Sequence, residues 1–108
     1  MIRSSLVLSM ILFASSLALA ADVDGKAVYG KHCVNCHGQD GLGQTPAGKA
    51  LKTVSLVDAQ WTTPAALPKI EAAIRDGVPR MPAMKAKLKP EEVAAVARYL
   101  QLLAGGKP

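Results

Sequence analysis

Cys33-Val34-Asn35-Cys36-His37 is the stretch from which the rest of the chain is best read. Two thiols stand three positions apart, and an imidazole directly follows the second. These are the only two cysteines in 108 residues. A bond between them would close a tiny loop and tie nothing distant together. They are not the disulfide framework that many small exported domains rely on.

The residues before the motif, Val23 to Lys31, read as a short helix running into it, with Asp22 or Asp24 as the cap. The residues after it, Gly38 to Lys49, are rich in Gly and Pro and read as an ordered loop. Leu51 to Val57 is compatible with either a short extended or a short helical piece. Pro64 to Asp76 places Leu67, Ile70 and Ile74 at helical spacing, and Gly77 stops it. Val78 to Lys89 holds two prolines and reads as a loop. Pro90 to Leu103 is the clearest helix: Pro90 suits a first helical position. Glu91 and Glu92 complement the positive end of the helix dipole. Val93, Val96, Ala97, Leu100 and Leu103 form one apolar stripe. No strand pair stands out, so the fold class is all-α.

Residues 1–20 read as a cleaved export signal. Arg3 supplies the positive start, Leu6 to Ala14 the apolar run, and Ala18-Leu19-Ala20 a small-x-small cleavage site. Serines at 9, 15 and 16 interrupt that run, which is shorter than a spanning helix needs. The domain is then 21–108, periplasmic and without stable membrane insertion. Such a domain buries little apolar surface and needs help to be stable. Its aromatics are only Tyr29, Trp61 and Tyr99, so something besides polypeptide should fill the core. The net charge of +5 falls to about +4 without Arg3 and suits an acidic protein partner. Basic stretches interleaved with aromatics are absent, which argues against nucleic-acid binding.

Export, cysteine count and a thin core all agree with covalent haem attachment as the role of C-x-x-C-H. Two thiols at this spacing can each add to one of the two vinyl groups of a porphyrin. The next residue, His37, is then held under the iron. A zinc site would want a second Cys/His pair, and His32 is the only other histidine. A thioredoxin-like thiol pair would want a βαβ setting, whereas the flanks are helical. A second axial ligand can come from Met81 or Met84, in the loop Gly77-Val-Pro-Arg-Met-Pro-Ala-Met84. Methionine sulfur raises the potential of the iron. Pro79 and Pro82 stiffen the chain on either side of Met81, which favours Met81 and leaves Met84 to pack against the haem.

With these motifs in place the chain resembles the class I c-type cytochromes, in particular short bacterial monohaem forms akin to the cytochrome c domains of cbb3-type oxidases. Gly25-Lys-Ala-Val-Tyr29, Cys33 to His37, Gly38-Gln-Asp-Gly41, Met81-Pro82-Ala83 and Arg98-Tyr99-Leu100 carry the resemblance. It implies one covalent haem c, with N- and C-terminal helices crossing beside it. Gly25 and Tyr29 would meet Val96 and Tyr99 at that crossing. It also implies that the Pro46 carbonyl accepts the second ring N–H of His37. Trp61 is either the family's indole donor to a haem propionate or a plain core residue. The family signature carries an aromatic where this chain has Met84. His32 is expected to face solvent.

The function implied is single-electron transfer between redox partners, by a monomer and without substrate chemistry. Arg80, Lys85, Lys87 and Lys89 run without an intervening acid and would steer an acidic docking surface. The alternative is a haem-based sensor or peroxidase-like enzyme with a labile sixth ligand. That chemistry wants distal acid–base groups, which the sequence does not supply. A permanent subunit of a larger oxidase or dehydrogenase would use the same haem.

Overall fold

The computed structural model describes residues 23–108; the proposed signal and its cleavage site lie outside them. Five helices follow in order: α1 (Gly25–His32), α2 (Val34–His37), α3 (Pro46–Ala50), α4 (Leu67–Asp76) and α5 (Pro90–Ala104). Two 3-10 turns, Ala59–Thr62 and Pro64–Ala66, lead into α4. Among the described residues there is no strand, only one isolated bridge between Val78 and Met81. No described helix is long and apolar enough to cross a membrane.

Of the two candidate caps, Asp24 is the one that starts α1. Its carboxylate accepts the N–H groups of Lys26 and Ala27 at 3.0 and 3.3 Å, two of the donors a helix start leaves unpaired. At α5, Pro90 takes the first turn, and Glu92 reaches back to accept the Lys89 N–H at 2.9 Å. At the end of α4, Gly77 adopts φ +79° and its N–H returns to the Ala73 carbonyl.

The core lies where α5 meets α1 and α4. Val93, Val96, Ala97, Tyr99 and Leu103 of α5 are buried with Val28 and Tyr29 of α1 and Ile70 and Ile74 of α4. Leu100, expected on the same stripe, is half-buried at its edge. α1 and α5 cross at Gly25, where a Cβ would run into the backbone carbonyl oxygen of Ala95. One turn along, the rings of Tyr29 and Tyr99 meet with centroids 5.3 Å apart and planes tilted by 57°, a favourable aromatic geometry. The crossing implied by the resemblance is thus formed by Gly25, Tyr29 and Tyr99, with Val96 fully buried beside them.

Two elements depart from the sequence reading. Pro46–Ala50 forms a helical turn inside the stretch expected to be loop. Leu51 to Val57 is neither strand nor helix. Thr45 explains the first: its hydroxyl caps α3 by accepting the Gly48 N–H at 2.9 Å.

Candidate functional site

The C-x-x-C-H segment straddles the end of α1 and all of α2. Cys33 closes α1 by donating its N–H to the Tyr29 carbonyl at 2.9 Å. Its own carbonyl accepts the His37 N–H at 2.9 Å. Tyr29 holds the far end in place: its buried hydroxyl donates to the Gly38 carbonyl at 2.6 Å. Burial, followed by the neighbouring Cys33, keeps that phenol protonated far above its ordinary range. α3 clamps the segment from the other side. The Thr45 hydroxyl donates to the Asn35 carbonyl at 2.6 Å. Gly48 sits so close that a Cβ there would collide with the carbonyl oxygens of Cys36 and Gly43.

Cys33, Cys36 and His37 line a cavity of about 380 Å³. Leu51 to Val54, Ile74, the loop from Val78 to Pro82, and Met84 complete its wall. Both candidate methionines therefore share one cavity with the cysteines and the histidine. Met81 is half-buried and pinned by the bridge to Val78, with paired N–H···O bonds of 2.9 and 3.2 Å. Met84 is buried in the core and tied to α4 by its N–H on the Ile74 carbonyl at 2.9 Å. Gly77 lets this loop lie against the end of α4: a Cβ there would come within 2.9 Å of the Met81 carbonyl oxygen.

Burial lowers the pKa of His37, which favours the neutral imidazole a metal ligand must be. Its Nδ1 is buried and has no hydrogen-bond partner. The expected bond to the Pro46 carbonyl is therefore not formed. Pro46 is solvent-exposed as the first residue of α3, where a carbonyl is directed along its own helix. Trp61 lies outside the cavity lining. It is half-buried against the core, and its backbone carbonyl accepts from Gln101 Nε2 at 3.2 Å. His32, expected to face solvent, is half-buried and contributes to the lining beside Cys33. Burial and the adjacent Cys36 push the free Cys33 thiol up to about 11.

The residues fit a large apolar group bound through sulfur and nitrogen. Burial favours the neutral imidazole, and one ring nitrogen is buried without a partner. Leu51, Val54 and Val78 of the lining are 41, 73 and 47 % exposed. Three large aliphatic side chains open to water around one cavity are explained by a flat hydrophobic ligand that covers them.

A helical fold of this kind, closed by its first and last helices beside a thiol–thiol–imidazole cavity, is that of a small c-type cytochrome. The chain belongs to the family described as cytochrome c oxidase, cbb3-type, subunit III, whose model matches residues 20–100. It is 35 % identical over 103 residues to a cytochrome c6 of Nostoc sp., covering 92 % of this chain and 89 % of that one. It is 35 % identical over 86 residues to the cbb3-type cytochrome c oxidase subunit FixP of Bradyrhizobium diazoefficiens, covering 77 % of this chain and 28 % of that longer protein. The solved KustC0563 c-type cytochrome superposes with a TM-score of 0.66 at 35 % identity, covering 75 % of this chain and 98 % of that one. The cofactor is covalently attached haem c, and the family transfers electrons.

Proposed function

We propose that this chain is an exported, periplasmic, monomeric carrier of single electrons. Cys33 and Cys36 bind one haem through thioethers, and His37 and Met81 are the axial ligands. The observation that carries this is the meeting of both cysteines and His37 with both methionines in one cavity. When bound, haem supplies a one-electron ferrous–ferric couple. The chain's part is to hold the ligands still. The Cys33 and Tyr29 backbone bonds fix the imidazole side, and the Val78–Met81 bridge fixes the thioether side. Ile74, Met84 and the aliphatic rim exclude water from the sulfur. Lys85, Lys87 and Lys89 are exposed on the turn that follows and would draw in an acidic redox partner.

Visible spectroscopy of the matured protein tests this directly. The expected result is a low-spin ferrous spectrum, haem that resists acid–acetone extraction, and a ferric sulfur–iron charge-transfer band. Met81→Ala should abolish that band, whereas Met84→Ala should keep it. Loss of the band only in Met84→Ala would transfer the ligand to Met84. A high-spin spectrum with rapid carbon monoxide binding would replace the carrier by a sensor or peroxidase. Association with an acidic partner should slow as ionic strength rises; a rate indifferent to salt would remove the steering role.

A further inference from the structure

A groove of about 670 Å³ lies where α1 and α5 cross, and among the described residues it shares no lining with the cavity of the cysteines and His37. Its α5 wall has Ala94 and Ala95 at the middle, Glu91 one turn before them and Arg98 one turn after. Leu102 stands a further turn along and is 51 % exposed, and Val23 on the α1 side is 37 % exposed. The electron-transfer site uses none of these side chains.

The charges along the groove balance: Asp24 and Glu91 against Lys26 and Arg98. Asp24 is occupied in capping α1, and Glu92 closes the start of α5. Glu91 and Arg98 remain. Among the described residues neither enters an ion pair or a side-chain hydrogen bond. They stand two turns apart on one stripe of the helix, about 10.5 Å along its axis. The midpoint between them falls between Ala94 and Ala95. A two-fold axis through that point, perpendicular to α5, lays a second α5 antiparallel on the first. Glu91 of each copy then faces Arg98 of the other. The alanines at the axis carry no bulk to hold the helices apart, and the two helix dipoles run in opposite directions. Leu102 comes to lie where the facing chain enters its own α5. A partner carrying one sign of charge would meet a like charge on this face, whereas a second copy supplies both signs in the order required.

We propose that this face docks a second copy of the chain, α5 antiparallel on α5, with Glu91 and Arg98 paired across a two-fold axis. Such a contact is isologous, the same patch serving on both copies. Exposed ion pairs each add little affinity; here they select the register. Eleven described residues line the groove, against roughly 20–30 a side in a standard interface. The contact is therefore weak and set by concentration: the carrier is the monomer when dilute and the pair when concentrated. Both copies keep the lining of the cysteine and histidine cavity outside the contact.

The test is sedimentation equilibrium of the matured, haem-loaded protein at about 0.15 M salt, where the net repulsion between two cationic copies is damped. Concentration runs from about micromolar to millimolar, and helical circular dichroism checks that each variant is folded. The wild type should move from the monomer mass toward twice that mass. Glu91→Arg and Arg98→Glu each set like charges opposite one another twice, and each should raise the dissociation constant about tenfold or more. An equimolar mixture of the two variants should pair again, because a copy with both positions basic then meets a copy with both acidic. The double variant should also pair with itself. A wild type that stays monomeric up to millimolar concentration would leave the groove to another partner or to none, and would overturn the proposal. Single variants that pair as the wild type does would overturn it too, as would a mixture that pairs no better than its components.

Discussion

Gly25→Ala and Gly30→Ala make the same change five residues apart on the same short helix, and the structure assigns them opposite signs. At Gly25 a Cβ would overlap the Ala95 carbonyl oxygen and come within 3.1 Å of the Tyr99 Cβ. The obstacle is backbone inside α5, so no rotamer change can clear it, and the two helices must part. Overpacking of this kind costs about 1–3 kcal/mol. The upper end applies because the displaced contact includes the Tyr29–Tyr99 pair and the fully buried Val96. Alanine returns up to ~1 kcal/mol of helix propensity. The net loss is then about 2 kcal/mol, or roughly 8–16 °C in melting temperature for a domain of this size. At Gly30 nothing stands within 4 Å of the added methyl, so only the propensity gain remains. That gain is up to ~1 kcal/mol, or about 4–8 °C upward. The assay is thermal unfolding of the haem-loaded protein, followed by helical circular dichroism. A Gly25→Ala protein that melts at or above the wild-type temperature would refute the close crossing of α1 and α5.

Two further outcomes follow from the clamps on the C-x-x-C-H segment. Tyr29→Phe removes the hydroxyl from the Gly38 carbonyl, which keeps only the longer bond from the Gly41 N–H at 3.2 Å, and should cost about 0.5–1.5 kcal/mol at neutral pH. Below the ordinary tyrosine pKa of ~10 the phenol is protonated in folded and unfolded chains alike, so its contribution is present in full. Above it the unfolded chain loses the proton first, because burial holds the folded value higher, and stability falls with rising pH. The phenylalanine variant should flatten that alkaline decline in urea titrations between about pH 8 and 11; an unchanged slope would show that Tyr29 is not its source. Gly48→Ala should push α3 off the Cys36 carbonyl, lowering both the yield of covalent haem and the denaturation midpoint. Normal values of both would mean that α3 does not clamp the motif.

Helices whose stability is written into their own residues were legible in the sequence. Asp24 before α1, Pro90 with two glutamates at the head of α5, and Gly77 behind α4 are local signals, and the structure uses each of them. α3 was missed because all but its last residue lies in Gly38 to Lys49, where five of twelve residues are Gly or Pro. Thr45 followed by Pro46, a cap and a first-turn proline, was the available signal. The bonds that hold α3 run to Asn35 and Cys36, and no local pattern reveals them. The cavity's cysteines, histidine and methionines were also legible, because their chemistry fixes their type and order. The roles of Pro46 and Trp61 were taken from the family resemblance, and that of His32 from its place beside Cys33. Their actual surroundings are set by loops that fold back over ten to forty positions.

The crossing of α1 with α5 also sets an order in time. A chain made from its N-terminus completes the Cys33–His37 segment long before the residues that will cover Tyr29. Until Tyr99 and its neighbours arrive, α1 is a short helix without a partner, too brief to persist by itself. In that state the thiols of Cys33 and Cys36 would still stand clear of packed structure, and α5 would be the element that closes the crossing last.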